Sequence, residues 1–291
     1  MEPAAEKPAV KIPTHAERLA SATKRLSGVT DTPRLDAEIL LAHALGISRS
    51  SLLARLQDRA PAPVFDAMLE RRAASEPIAY ILGEWEFFSL HLKVTPPLLV
   101  PRPETEHLVE AVIEFVGQGP TDILEIGTGT GCIAVAIACN APNSRLIATD
   151  ISEIAIETAE ENSRRHDTAD RIIVRRGDLF NVIADTDPLF DVICSNPPYV
   201  EEDEWERLEP VIRLYEDPAA LVAGRQGLDI IRRLAEEAQA YLKPAGLLAI
   251  EIGMGQRDAV NTLLLQCGYE NIRFRPDLAG IPRIALAQRP S

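Results

Sequence analysis

Ile123-Leu-Glu-Ile-Gly-Thr-Gly-Thr-Gly-Cys-Ile-Ala-Val-Ala-Ile-Ala-Cys-Asn140 reads as three conformations in succession. Ile123 to Ile126 is a short buried strand. Gly127, Gly129 and Gly131 then let the backbone bend sharply and come close to a ligand. A helix follows from Cys132 to Asn140. The next strand, Arg145 to Asp150, ends in a carboxylate, which can accept hydrogen bonds from both hydroxyls of a ribose. A glycine turn and an acidic strand end together fit a nucleoside-containing cofactor at the point where an open sheet reverses its strand order. A tight turn with no ligand is the commoner meaning of such glycines taken alone.

Two cofactors compete for this turn. Nicotinamide dinucleotides favour Gly-x-Gly-x-x-Gly, with a pyrophosphate on the helix N-terminus. Here the third glycine comes one residue early, and Glu125 precedes the turn. An acidic neighbour opposes a pyrophosphate and suits the cationic amino and sulfonium groups of S-adenosyl-L-methionine. The candidate cofactor residues are therefore Glu125, Gly127, Thr128, Gly129, Thr130, Gly131 and Asp150, with Asn196 at the end of the fourth strand. Asp178 and Leu179, at the end of the third strand, are placed to meet an adenine amino group and ring. A plain loop aspartate is an equal reading of Asp178.

Outward from this unit, strands and helices alternate. Ser152 caps a helix through Ala155, Ala159 and Asn162. Arg171–Val174 and Phe190–Ser195 are strands, Gly227–Leu242 a helix, Leu247–Ile252 a strand and Arg257–Gln266 a helix. Ile272–Arg275 and Ile284–Ala287 follow with a Gly280-Ile-Pro282 turn and no helix between them. The expectation is an α/β fold, Rossmann-like, with a mostly parallel sheet covered on both faces and a C-terminal antiparallel hairpin.

The fourth strand ends in Phe190-Asp-Val-Ile-Cys-Ser-Asn-Pro-Pro-Tyr199. Pro197 and Pro198 cannot donate ladder hydrogen bonds, and Pro197 drives Asn196 out of the helical region. Asn196 Oδ1 and the Pro197 carbonyl can hold both N–H atoms of a planar amino group, and Tyr199 can stack on it. A Pro-rich turn is an even reading of Asn-Pro alone; the full Asn196-Pro-Pro-Tyr199 points to a site for a flat –NH2 group.

The chain has 291 residues, enough for one large domain or two. Residues 1–13 read as a disordered tail without signal-peptide character. Residues 14–83 form a small N-terminal helical bundle, with Leu19, Ala22 and Leu26 on one face of its first helix. Val64, Met68 and Leu69 line another helix, with Glu70, Arg71 and Arg72 outside. Residues 84–103 are a β-hairpin linker, and 104–291 carry the cofactor fold. Arg102 and Glu104 read by spacing as an ion pair at the start of the next helix. No apolar run is long enough to span a membrane. The four cysteines, in apolar segments without Cys-x-x-Cys spacing, and the scattered histidines argue against a metal site and for a reducing, cytoplasmic setting. The formal charge of −14 argues against direct nucleic-acid binding. A monomer is expected.

Gly83-Glu-Trp-Glu-Phe87, Pro101-Arg-Pro-Glu-Thr-Glu106, Leu124–Gly131, Ser195–Tyr199 and Glu251-Ile-Gly253 together carry a resemblance. From about Arg34 to Arg289 the chain resembles the PrmC/HemK family of protein-(glutamine-N5) methyltransferases. The resemblance implies a seven-stranded class I methyltransferase domain that uses S-adenosyl-L-methionine. It implies methylation of the glutamine in the Gly-Gly-Gln loop of class I peptide chain release factors. It places Gly127 to Gly131, Asp150 and Leu179 on the cofactor. Asn196, Pro197, Pro198 and Tyr199 would hold the glutamine, and Phe87 would sit over the active site. In the loop after the catalytic turn the family has Glu-Pro, whereas this chain has Glu216-Asp217-Pro218.

The expected reaction is in-line displacement at a sulfonium methyl by the glutamine nitrogen. Asn196 Oδ1 and the Pro197 carbonyl would fix the amide and stabilise charge growing on nitrogen. Asn196, Pro197 and Tyr199 are thus the candidate catalytic residues, and no side-chain base is expected. The acidic run Glu201–Glu204, with Glu206 and Glu209, reads equally as a steering rim for a basic partner or as a solvated loop. Two rivals remain: an adenine-N6 DNA or RNA methyltransferase using the same turn, and a non-catalytic cofactor-binding module.

Overall fold

The computed structural model describes residues 12–291, so most of the expected tail, residues 1–11, lies outside the described residues. The chain divides into two compact units, one ending at Leu82 and the other running from Gly83 to Ser291.

The first unit is helical: α1 (His15–Leu26), α2 (Pro33–Leu45), α3 (Arg49–Ala54), α4 (Phe65–Ala73) and α5 (Ile78–Leu82). Thr14 and Glu17 form a reciprocal capping box that starts α1. Gly46, in the left-handed region at φ 65°, ends α2. Leu19, Leu26, Leu40, Leu52, Phe65 and Met68 share one core. Arg72 is not outside, as its charge suggests. Helix α4 turns Phe65, Met68 and Arg72 to the interior and leaves Val64 exposed. Arg72 is tolerated there because Asp36 of α2 accepts its Nε–H at 2.7 Å.

The second unit opens with a hairpin, β1 (Glu84–Phe87) and β2 (Leu90–Lys93), paired antiparallel with Phe87 opposite Leu90. Phe88 and Ser89 make the two-residue turn, both at positive φ (52° and 61°). Glu106 braces it by accepting the Phe88 N–H at 2.8 Å. The hairpin is part of this unit's core, to which Phe87 and Leu92 belong.

The sheet strands are β3 (Thr121–Ile126), β4 (Ser144–Asp150), β5 (Ile172–Arg176), β6 (Phe190–Ser195), β7 (Leu242–Glu251), β8 (Glu270–Pro276) and β9 (Pro282–Gln288). They form one seven-stranded sheet in the order β5-β4-β3-β6-β7-β9-β8. Pairing is parallel from β5 to β7 and antiparallel for β7–β9 and β8–β9. The helices of this unit are α6 (Glu106–Val116), α7 (Cys132–Asn140), α8 (Glu153–Arg165), α9 (Glu202–Trp205), α10 (Pro210–Arg213), α11 (Asp229–Glu237) and α12 (Arg257–Gln266). Ile123 and Leu124 point to opposite faces, as neighbours in a strand must. Ile123 packs with Leu108 and Val112 of α6 and Ile137 of α7. Leu124 packs with Ile231 and Leu234 of α11 and Val260 of α12. Both faces are covered, so this is the expected Rossmann-like class I methyltransferase architecture. Helix α11 is shorter than its periodicity suggests. Residues 238–240 tighten into a 3-10 turn, and Leu242 already pairs with Phe190 in the sheet.

The strand order reverses between β3 and β6, and a cleft opens there at the strands' carboxyl ends. Among the described residues, no helix is long and apolar enough to cross a membrane. No group of three His, Cys, Asp or Glu among them could hold a metal ion. The four cysteines carry no disulfide; Cys132 and Cys194 are buried, whereas Cys139 is exposed.

Candidate active site

A cavity of about 410 Å³ occupies this switch point, within the usual range for a small-molecule site. Its floor is the glycine turn Gly127–Thr130, its far wall Asp150, Asp178 and Leu179, and its near wall Asn196, Pro197 and Pro198. Residues 97–99, 101 and 102, together with Asp217, Ala219 and Ala220, close it from above.

The turn satisfies most of its own donors. The Gly127 and Thr128 amides donate to the Thr149 carbonyl at 2.8 and 2.9 Å. The Gly129 amide donates to Asp150 Oδ2 at 2.9 Å, and Gly131 to the Thr128 carbonyl at 2.7 Å. Such a turn offers little to a pyrophosphate, which needs convergent amide donors. Asp150 accepts a second amide, from Ser152, on Oδ1 at 2.9 Å. Each carboxylate oxygen keeps a further lone pair for a ribose hydroxyl. Burial raises this carboxyl's pKa despite those amides. The lining therefore fits a nucleoside carrying a cationic, phosphate-free tail.

Two sequence expectations, for Glu125 and Gly131, are revised here. Glu125 does not line the cavity. It lies fully buried beneath the turn, with Oε2 accepting the Thr128 hydroxyl at 2.8 Å. Burial lifts this carboxyl to about 8, against the lowering effect of the Thr128 hydrogen bond. Gly131 is small for packing, not for ligand approach. A Cβ there would meet the backbone Cα of Ala159 at 2.9 Å, so the glycine lets α8 close against α7. Asp178 lines the cavity, but its carboxylate pairs with Arg233 of α11 at 2.9 Å. Leu179 holds a left-handed backbone at φ 47° and forms part of the wall.

Phe87 is displaced from the role the resemblance implied. Its side chain is 1% exposed, inside the hydrophobic core, because the turn at Phe88-Ser89 sends it inward beside Leu92. Tyr199 also differs from expectation. Its ring is tethered away from the cavity lining, with the hydroxyl donating to Glu251 Oε1 at 3.2 Å. Burial, then the Glu251 charge, pushes the phenol pKa up, so it stays protonated.

Asn196 does face the cavity. Its Nδ2 donates to Thr105 Oγ1 at 3.1 Å, and Thr105 in turn donates to Glu251 Oε2 at 2.7 Å. Among the described residues, no intramolecular donor reaches Asn196 Oδ1 or the Pro197 carbonyl. Two acceptors therefore stand at one corner of the cleft.

Arg102 does not pair with Glu104. It reaches 114 residues along the chain to buried Glu216, with Nη2 at 2.7 Å from both carboxylate oxygens. The Asp217 amide donates to the Pro97 carbonyl at 2.9 Å. Asp217 Oδ1 caps the next turn by accepting the Ala219 amide at 2.9 Å. The Glu216-Asp217-Pro218 loop thus has a defined conformation that roofs the cleft. Thr105, Glu216 and Glu251 carry no local pattern that marks them as site residues, although Thr105 and Glu251 lie in motifs that carry the resemblance.

Comparison with known proteins places the chain in a family. The family described as PrmC N-terminal domain matches residues 17–83, and the methyltransferase small domain matches residues 105–213. The release factor glutamine methyltransferase of Nitratidesulfovibrio vulgaris is 39% identical over 277 residues, 93% of this chain and 94% of its own. The chain belongs to the release factor glutamine methyltransferase family. The relative of the same name from Vibrio cholerae is 40% identical over 93% of this chain and 95% of its own. Solved structures share the fold alone. A methyltransferase from Pyrococcus furiosus has a TM-score of 0.53 at 20% identity, covering 70% of this chain and 91% of its own. The hMettl16 catalytic domain, solved in complex with a MAT2A 3'UTR hairpin, has a TM-score of 0.59 at 17% identity, covering 76% of this chain and 81% of its own. Class I methyltransferases of this family use S-adenosyl-L-methionine, with which the cleft's lining agrees.

Proposed function

We propose that this protein methylates the side-chain nitrogen (N5) of the glutamine in the Gly-Gly-Gln motif of class I peptide chain release factors. The observation that carries this reading is the corner at Asn196 and Pro197. It presents two carbonyl-type acceptors beside the glycine turn, as a carboxamide with two N–H donors requires. Gly127 to Thr130, Asp150 and Leu179 would hold S-adenosyl-L-methionine, which supplies an electrophilic methyl group when bound.

An amide nitrogen is a poor nucleophile because its lone pair is delocalised. Asn196 Oδ1 and the Pro197 carbonyl fix the amide's rotation and oppose the positive charge that grows on its nitrogen. Groups preorganised for transition-state charge contribute roughly 2.7–4 kcal/mol each in other enzymes. Pro197 and Pro198 keep this corner rigid. Tyr199 braces the turn through Glu251 instead of stacking on the substrate. No side chain at the corner is needed as a base, since the proton leaves after methyl transfer.

The same reading assigns residues 14–83 to a helical domain that shapes the partner surface, 84–103 to a hairpin segment and 104–291 to the methyltransferase domain. It describes a cytoplasmic monomer that engages a protein and not a nucleic acid.

Mass spectrometry of a release factor incubated with the protein and S-adenosyl-L-methionine should show one added methyl on the Gly-Gly-Gln peptide. Oligonucleotides assayed alongside should gain none; methylated adenine instead would transfer the assignment to nucleic acid. Asn196→Ala should lower turnover by at least about a hundredfold, with cofactor affinity changed only a few-fold. Turnover at the wild-type level in that variant would end the proposed mechanism.

A further inference from the structure

Thr105 has no role above and Glu251 only that of anchoring Tyr199, yet both polar ends of the Asn196–Tyr199 turn lead to them. Thr105 Oγ1 is 2.7 Å from Glu251 Oε2 and 3.1 Å from Asn196 Nδ2. Tyr199 reaches the other carboxylate oxygen of Glu251 at 3.2 Å. Thr105 and Glu251 are both almost completely buried. A threonine hydroxyl has one proton. Given to an ionised Glu251, it leaves only lone pairs for Asn196, which must then turn its NH2 toward Thr105 and its Oδ1 toward the cleft.

We infer that Glu251, acting through Thr105, is the positioning group that fixes which face of the Asn196 amide meets the substrate. The inference rests on the reading of Asn196 as the residue that holds the substrate amide. A protonated Glu251 reverses the chain. Its O–H can donate to Thr105, Thr105 then donates to Asn196 Oδ1, and the NH2 swings toward the cleft. An NH2 facing the substrate's own NH2 is repulsive and cannot stabilise charge on nitrogen.

The surroundings place this exchange near neutral pH. Burial lifts the Glu251 carboxyl to about 7. The hydrogen bonds from Thr105 and Tyr199 lower it, the charge of Glu104 on the preceding turn raises it, and Arg283 of β9 lowers it. Burial, then the Glu125 charge, pushes the nearby Cys132 thiol of α7 up to about 12, with Glu251 adding least, so this neighbour is neutral.

The test uses the full chain, a class I release factor and single-turnover methyl transfer. Thr105→Val keeps the shape and removes the relay. It should slow transfer roughly tenfold to a hundredfold, with cofactor affinity within about twofold of wild type. Thr105→Ser should restore most of the rate. In the wild type the rate should rise with pH through an apparent pKa near 7, and Glu251→Gln should flatten that rise whatever its absolute rate. A Thr105→Val rate equal to wild type, or a pH rise that survives Glu251→Gln, overturns the inference. Asn196→Ala separates the two levels. If it is inactive while Thr105→Val and Glu251→Gln behave as wild type, only the positioning role falls. If it is active, the reading of Asn196 itself fails.

Discussion

Gly131 and Glu125 lie outside the cavity lining, yet both constrain the glycine turn. At Gly131 the obstacle is backbone, since Ala159 Cα stands 2.9 Å from where a Cβ would be. Gly131→Ala should therefore destabilise the protein by about 1–3 kcal/mol, because α8 must move and the residue is also held at positive φ. Chemical denaturation reads this directly, and an unchanged midpoint would remove the packing explanation. Glu125 makes a prediction in pH. Its folded-state value of about 8 lies above the ordinary 4.5, so the folded protein binds this proton more tightly than the unfolded chain does. That contribution to stability is fully present below about 4.5 and is lost as pH rises through about 8. Glu125→Gln has no such proton. Without cofactor, its stability should gain on wild type by the order of 1 kcal/mol or more per pH unit across that window. Parallel stability curves for the two proteins would show that Glu125 is not the group responsible.

At the level of elements, isolated charges connect segments that share little else. In the N-terminal unit, α2 and α4 meet around the Asp36–Arg72 pair, whose side chains are 5% and 7% exposed. Arg72→Ala leaves Asp36 buried without its partner and should cost about 3–5 kcal/mol. Replacing both residues with apolar ones of similar volume should recover most of that loss. A single variant as stable as wild type, by thermal unfolding, would contradict the pairing. In the second unit, Arg102 and Glu216 do comparable work between the segment before α6 and the loop after α10. In the hairpin, the turn at Phe88-Ser89 puts Phe87 and Leu92 on the same side, so both enter the core.

Across the whole molecule, 44 acidic residues against 30 basic ones give a surface field suited to a basic partner. The acidic segment 201–209 follows the Asn196–Tyr199 turn directly. If that field steers the protein substrate, kcat/KM should fall several-fold between about 50 and 300 mM salt, whereas cofactor affinity should change little. Equal salt dependence for both would mean that the charge serves solubility alone.

The alternation of strands and helices, the glycine turn, Asp150 and the Asn-Pro-Pro-Tyr stop were legible in the chain because each is a local pattern. Backbone freedom, missing N–H groups and apolar periodicity act within a few residues. The roof over the cleft, the burial of Phe87 and the turning of Tyr199 toward Glu251 were decided only by folding. So was the chain of hydrogen bonds that orients Asn196. Thr105, Asn196 and Glu251 come from three separate segments, and nothing in the order of residues states which donor will find which acceptor. Burial settles it: once water is excluded, each polar group must take the partner that the packing leaves beside it.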